Sequence, residues 1–165
     1  MGMAACFASA GVETLNHLRS NPGEMEGFIC PDDDEGEPPN YADVDKAWHC
    51  IHFMLTGRTD RGPELLSSAI FGGDEIGEDV GYGPARIMDP AEVKKVAVAL
   101  MSIDDAAFSS RFNPQAMKSA DIYLADMCLR DGTEALDYLL QNFHSLAEFY
   151  RAAASRDDGA ILWLC

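Results

Sequence analysis

The sequence predicts a helix-rich α+β protein, a single domain over residues 1–165 with a small mixed sheet covered by helices on one side. Three patterns indicate this class. Apolar residues recur at helical spacing across residues 133–154, and a shorter amphipathic helix is predicted over residues 44–55. Short apolar runs at residues 3–10 and 160–164 have the length of buried strands. A chain of 165 residues, 47% of them hydrophobic, suits one such domain.

The first quarter of the chain predicts a strand, a helix and a loop. The run at residues 3–10 precedes a glycine, and residues 12–19 then place apolar side chains at helical spacing. Residues 21–40 are rich in proline, glycine and acids, which is typical of a solvated loop. The acidic run at residues 32–35 forms the tip of this loop, where we expect flexibility, and it lacks the alternating ligands of an EF-hand.

The helix over residues 44–55 has the clearest signals at its ends. Asp43 is placed to cap its beginning, and Gly57 is suited to the left-handed position after its end. One apolar stripe faces the core and consists of Val44, Trp48, Ile51 and Leu55. After this helix, residues 65–71 are apolar enough to form a helix or a strand. Residues 72–83 contain five glycines among acids, so an irregular loop is predicted there.

The second half is predicted to be mostly helical. Asp89 and Pro90 form a helix start, with Asp89 as the cap and Glu92 returning the interaction, and this helix runs to about Met101. Asn113 with the proline after it is a second start of the same kind, and a turn or two of helix is expected over residues 104–112. The long helix over residues 133–154 then precedes the closing strand.

Charge limits the classes of partner. Twenty-eight acidic residues against twelve lysines and arginines give a net charge of −16. Such a chain repels nucleic-acid backbones and anionic membranes, whereas a basic protein would be attracted to it. No segment has the roughly 18 consecutive apolar residues that span a bilayer. We therefore expect a cytoplasmic protein that binds neither nucleic acid nor membrane.

Cysteine usage argues against a disulfide framework or a structural zinc site. The five cysteines are widely spaced and contain no C-x-x-C pair. Cys6, Cys50 and Cys128 lie in apolar contexts and are predicted to be core residues. No motif for a cofactor is present, so none is predicted.

A polar stripe on the helix over residues 44–55 carries the main chemical possibilities. It consists of Asp45, His49, His52 and Thr56. His49 and His52 could chelate a metal ion with help from Asp45, or one histidine could work as an acid or base. The structural alternative is that His52 binds a backbone carbonyl while His49 forms an exposed ion pair with Asp45. The absence of a His-Glu-x-x-His pattern favours this alternative, so no metal is predicted.

Several segments together resemble the YfbM-like family of small bacterial proteins (domain of unknown function 1877). The matching segments, in family order, are residues 1–3, 43–48, 51–57, 81–86, 90–93, 122–123 and 149–154. The resemblance implies an α+β domain from a bacterial cytosol and implies no activity. Trp48, His52, Thr56 and Gly57 match the family signature. His49 does not belong to that signature, and Leu124 stands where the family has proline, so we expect a different local turn there.

Two functional hypotheses follow. The preferred one is a non-enzymatic protein that binds a macromolecule such as a basic protein, because no convincing catalytic set is present. The alternative is an enzyme or small-ligand protein whose pocket gathers residues from separate segments, namely Trp48, His52, Tyr82, Arg86 and Tyr123. Within this set Arg86 is expected to pair with a nearby acid, Glu78 or Asp79.

Overall fold

The computed structural model describes residues 2–31 and 36–165. The acidic run at residues 32–35, predicted to be a flexible loop tip, lies outside the described residues. The helices are α1 (Val12–Ser20), α2 (Met25–Ile29), α3 (Trp48–Thr56), α4 (Ser68–Phe71), α5 (Pro90–Met101), α6 (Asp105–Ser109), α7 (Pro114–Ser119), α8 (Ala125–Asp131) and α9 (Thr133–Ser155). The strands are β1 (Ala5–Ala10), β2 (Ala42–Asp43), β3 (Asp74–Asp79), β4 (Pro84–Met88) and β5 (Gly159–Leu164).

The predicted α+β class is confirmed, but the sheet is antiparallel rather than mixed. Its strand order is β2-β1-β5-β4-β3, and each of these neighbouring pairs is antiparallel. A parallel pair requires a crossover that returns the chain in the same direction. Here β3 and β4 form a hairpin, and the helices between β4 and β5 return the chain in the opposite direction.

Helices cover both faces of the sheet, where the sequence predicted cover on one side. On the larger face, Phe7 and Leu162 join a core built with α3, α5 and α9. On the smaller face, Ile161 packs with Leu15 of α1 and Met25 of α2. The second cover was missed because α2 and the 3₁₀ turn before it lie inside residues 21–40, whose composition indicated a loop.

The long helix was predicted correctly, and it is the main support of the larger core. Phe143 of α9 stacks on Phe108 of α6, with ring centroids 4.2 Å apart. The fully buried Tyr150 donates a hydrogen bond from its hydroxyl to the backbone oxygen of Ala69, at 3.0 Å. A 3.6-residue apolar period over six turns is a strong local signal, which explains the success of the prediction.

The helix ends were predicted with mixed success. Gly57 follows α3 with a φ of 71°, and the Asn113 side chain accepts from the backbone N–H of Ala116 at 3.0 Å, as expected. The predicted cap by Asp43 is wrong, because α3 begins only at Trp48; the Asp43 side chain accepts from the N–H of Asp45 (2.9 Å), at the start of the 3₁₀ turn that precedes the helix. Asp89 directly precedes Pro90, the first residue of α5, as predicted, but its side chain makes no capping hydrogen bond. Its carboxylate binds a partner from α1, the guanidinium of Arg19 at 2.8 Å, so a tertiary ion pair replaces the local cap.

The predicted loop over residues 72–83 contains an edge strand, β3. Its side chains are mostly exposed and charged, which is common on edge strands because charges discourage pairing with another chain. Gly77 has a φ of 75° and lies where the register with β4 shifts. This strand has a glycine at its bulge and acidic residues on its exposed edge, so it lacks the alternation of apolar and polar residues by which strands are recognised.

Among the described residues, no helix has the length and apolar character needed to cross a membrane.

The substitution Gly159→Ala tests the close packing of β5 against its neighbours. A Cβ at this position would meet the Leu15 side chain and would lie 2.5 Å from the backbone oxygen of Met88. Because that oxygen belongs to β4, the strand itself must shift, and we expect a loss of about 1–3 kcal/mol in the free energy of unfolding. Urea denaturation of the purified variant measures this loss.

Gly27→Ala is the matched control. A Cβ there meets nothing within 4 Å, and the site lies within α2, where alanine is a better helix former than glycine. We expect the free energy of unfolding to stay unchanged or to rise by up to about 1 kcal/mol. Equal losses in the two variants would contradict the packing described for Gly159.

Candidate functional site

His49 holds two loops in place through its two ring nitrogens. The backbone N–H of Tyr123 donates to Nδ1 at 3.0 Å, so the ring proton lies on Nε2, which donates to the backbone oxygen of Thr59 at 2.9 Å. Burial lowers the pKa of His49, and the ring is half-buried. The predicted exposed ion pair with Asp45 is wrong, because Asp45 instead accepts a hydrogen bond from the hydroxyl of Tyr138 at 2.9 Å.

His52 is fully buried and bonded to backbone, as the structural alternative predicted. Its Nε2 donates to the backbone oxygen of Asp60 at 2.9 Å, while its Nδ1 has no partner among the described residues. Burial lowers the pKa of His52, and the backbone oxygen of Asp60 opposes that shift. Thr56, one turn later, donates to the backbone oxygen of His52 at 2.8 Å. The neutral imidazole therefore fastens the segment after α3 to the helix.

The polar stripe of α3 does not assemble a metal site. Asp45, His49 and His52 are directed to three separate partners, as described above. Across residues 2–31 and 36–165, no group of three or more histidine, cysteine, aspartate and glutamate side chains could hold a metal ion. The helical spacing predicted that these side chains lie near each other, but a hydroxyl of α9 and backbone oxygens after α3 bind their polar atoms separately.

Phe71 connects most of the predicted site residues, although sequence reasoning did not select it. Its ring lies 4.7 Å from the ring of His52 and 5.9 Å from that of Trp48, both in edge-on geometry. The guanidinium of Arg86 lies over the same ring, 5.9 Å from its centroid. The sequence offered one signal for Phe71, which is its position as the last apolar residue before two glycines.

Arg86 pairs across the β-hairpin rather than with the acids nearest to it in the predicted loop. Its Nη2 donates to Glu75 at 2.8 Å, and these two residues face each other in the register of β3 and β4. The expected pairing with Glu78 or Asp79 is wrong. The Asp79 carboxylate accepts instead from the backbone N–H groups of the turn, at 2.8 and 3.1 Å. Arg86 Nε is buried and has no partner among the described residues.

Tyr82 and Arg86 line a cavity of about 170 Å³. The wall is mainly apolar and includes Phe7, Phe71 and Leu162, and the ion-paired Glu75 also lies on it. An apolar cavity with a few polar groups on its wall is the usual form of a small-ligand site.

Trp48 and Tyr123 line a separate, open groove of about 760 Å³. Trp48 stacks on His49 with centroids 4.8 Å apart, and its Nε1 donates to the backbone oxygen of Met3 at 3.0 Å. Leu124, which also lines this groove, has a φ of 68°, a conformation closed to proline, whose φ is fixed near −65°. The five predicted site residues therefore divide between a cavity, a groove and the buried His52. Their binding of a ligand stays a prediction.

Comparison with known proteins supplies the family. A model of a domain of unknown function, DUF1877, matches residues 1–163. The chain belongs to the DUF1877 family. Its fold is similar to the crystal structure of YfbM, a protein of unknown function from Escherichia coli, with a TM-score of 0.75. The alignment covers 98% of this chain and 99% of YfbM at 18% sequence identity, so the likeness concerns the fold. No curated protein sequence matches the chain.

The pKa values of His49 and His52 predict how the stability of this DUF1877 protein depends on pH. Burial keeps the pKa values of His49 and His52 below 6.5, so the unfolded chain binds protons at a higher pH than the folded chain. Their contribution to the free energy of unfolding is fully present above pH 6.5. It is lost as the pH falls from there through the folded-state pKa values. Urea denaturation between pH 5 and pH 8 measures this slope.

His52→Gln and His49→Gln identify the origin of the slope. Glutamine keeps an amide donor for the backbone oxygen but does not titrate. We expect each variant to lose part of the pH dependence between pH 5 and pH 6.5. Two variants that both keep the wild-type slope would exclude these imidazoles as its source.

Proposed function

We propose that this DUF1877 protein is a non-enzymatic protein of the bacterial cytoplasm that binds a basic segment of a partner protein. The proposed contact is a groove of about 440 Å³ between the residues before and within α2 and the β3–β4 hairpin. We call it the acidic groove, and it is lined by Pro22, Gly23, Met25, Glu26, Gly77, Glu78, Asp79 and Val80. The observation that carries the proposal is its lining, which has three carboxylates and no lysine or arginine.

The rest of the surface supports this choice because most basic residues are already paired. Eight of the twelve lysines and arginines form ion pairs with acids among the described residues. None of these pairs uses Glu26 or Glu78, whose side chains are exposed. A surplus of negative charge therefore lies at the acidic groove, where it would attract a cationic segment and raise its rate of association.

The lining also suits the shape of a lysine or arginine side chain. Met25 is buried beneath the groove and Val80 is half-buried beside it, so an aliphatic stem would meet apolar surface. The charged end of the side chain would then reach Glu26 or Glu78. Long basic side chains commonly combine contacts of these two kinds. The same charge makes nucleic acids and anionic membranes unsuitable partners.

Tetralysine peptide tests the acidic groove. We expect the double variant Glu26→Gln/Glu78→Gln to bind it about twofold to thirtyfold more weakly than the wild type, since each exposed ion pair contributes about 0.2–1 kcal/mol. Fluorescence anisotropy of labelled peptide at an ionic strength of about 0.1 M measures the dissociation constants. Binding to the wild type should weaken as salt is added, because exposed charges are screened.

The control is Glu134→Gln/Asp137→Asn, which removes the same charge from two exposed positions of α9. We expect its affinity for tetralysine to stay within about twofold of the wild type, because α9 packs on the larger core whereas the acidic groove adjoins the smaller one, and because exposed charges are largely screened beyond about 10 Å at 0.1 M salt. A cellular partner should be retained by wild-type protein and by the α9 variant, and lost by the groove variant. Equal weakening in both variants would show a general charge effect and would contradict a binding site at the acidic groove.

A second candidate function rests on Arg86. The alternative pocket around Trp48, His52, Tyr82 and Arg86 narrows to the last two residues, because only they line the cavity. Arg86 lines this wall, and its guanidinium would donate to the carboxylate of a small molecule in place of Glu75. A volume of about 170 Å³ equals the space of roughly six water molecules at about 30 Å³ each, which limits the ligand to a small molecule.

Benzoate tests this candidate, with uncharged benzamide as its matched control. We expect benzoate to bind more tightly than benzamide. Arg86→Gln should weaken benzoate binding, because it removes the guanidinium donor. Glu75→Gln should strengthen it, because the competing carboxylate is gone. Isothermal titration calorimetry measures the four affinities. Equal affinity for benzoate and benzamide would contradict carboxylate recognition in this cavity.

A further inference from the structure

The first and last strands bring two cysteines together. Cys6 of β1 lies opposite Trp163 of β5, and the backbones of Ala4 and Cys165 exchange two hydrogen bonds of 2.8 and 3.0 Å just beyond. Side chains two residues apart on a strand share a face. The side chain of Cys165 is therefore a diagonal neighbour of Cys6, and their sulfur atoms are 3.4 Å apart.

The two thiols of this pair differ in access to solvent. Cys6 is 3% exposed and packs in the smaller core, with its sulfur 3.4 Å from the hydroxyl of Tyr41. Cys165 is exposed. One thiol can therefore meet a reagent in solution, while the other can reach only the sulfur beside it.

The remaining cysteines do not combine these properties. Cys50 and Cys128 have sulfur atoms 3.8 Å apart, but both residues are fully buried and closed to a reagent. Cys30 is exposed. A second exposed thiol makes Cys30 the natural competitor of Cys6 for a disulfide with Cys165, and the test below distinguishes the two.

We propose that Cys6 and Cys165 form a reversible disulfide, with oxidised glutathione as the oxidant. The thiolate of Cys165 attacks one sulfur of oxidised glutathione, which forms a mixed disulfide and releases one glutathione thiolate. The Cys6 sulfur, once its proton is lost to solvent, then attacks the sulfur of Cys165 and releases the second glutathione. The two protein thiols are oxidised, and one oxidised glutathione is reduced to two molecules of glutathione.

The geometry and the chemistry agree on this order of events. Burial raises the pKa of Cys6 to about 12, so its thiolate is scarce and Cys165 reacts with glutathione first. The same burial does not oppose the product, because a disulfide carries no charge. The sulfur atoms must approach from 3.4 Å to about 2.05 Å, a movement that rotation of the exposed Cys165 side chain can supply.

The disulfide would fasten β1 to β5 and thereby close almost the whole chain into one loop. Closing a long loop restricts the unfolded chain and stabilises the folded state. We expect the oxidised protein to have a Tm about 5–10 °C above that of the reduced protein. Oxidation would therefore change stability without changing the acidic groove, which contains no cysteine.

The test is oxidation of the reduced full chain with glutathione at pH 8, followed by alkylation in denaturant and mass spectrometry. We expect one disulfide, found in a peptide pair that contains Cys6 and Cys165, and the rise in Tm given above. Excess dithiothreitol should reverse both changes. Cys30→Ser should behave as the wild type does.

Cys165→Ser and Cys6→Ser complete the experiment. Cys165→Ser leaves the core intact and should form no intramolecular disulfide. Cys6→Ser should stop at the glutathione adduct of Cys165. The proposal is overturned if the wild type accumulates that adduct alone, if Cys30 pairs with Cys165, or if only disulfide-linked dimers form.

Discussion

The pairing of β1 with β5 is the interaction on which the rest of the structure depends. Six residue pairs join Ala5–Ala10 to Gly159–Leu164 in the centre of the sheet, and all six side chains of β1 are buried. Alternate side chains of β1 pack in the two cores. On one face the ring centroids of Phe7 and Phe149 are 5.4 Å apart, and on the other face Cys6, Ala8 and Ala10 pack in the smaller core. Because the two strands are separated by most of the chain, their pairing closes a long loop, which carries a cost in conformational entropy.

Helix α3 connects the start of β1 to the loops around the candidate residues through hydrogen bonds. Trp48 binds the backbone oxygen of Met3 just before β1, and His49 binds the N–H of Tyr123. His52 binds the segment after the helix. These three side chains thus satisfy backbone groups, which would otherwise be costly to bury. The two surfaces proposed above as binding sites lie elsewhere, at the acidic groove and at the cavity lined by Arg86.

The predictable parts of this fold are those whose pattern is local. The period of α9, the glycine after α3 and the asparagine cap of α7 each depend on a few consecutive residues, and each was predicted correctly. The edge strand β3 was missed because its exposed acids have no apolar alternation. Of the candidate site, the sequence selected Tyr82 and Arg86 but not Phe71 or Glu75, since their roles exist only once the hairpin and α4 have packed.

By itself the sequence determined the class, the charge and the apolar face of each main helix, because hydrophobic period and net charge are properties of the chain. The tertiary structure decided which groups the polar and cysteine side chains contact. It directed His49 to backbone, paired Arg86 with Glu75 across a strand register, and placed Cys6 beside Cys165 from the far end of the chain. Such contacts depend on side-chain orientations and interatomic distances that are fixed only when distant segments pack together, so the spacing of residues in the sequence does not predict them.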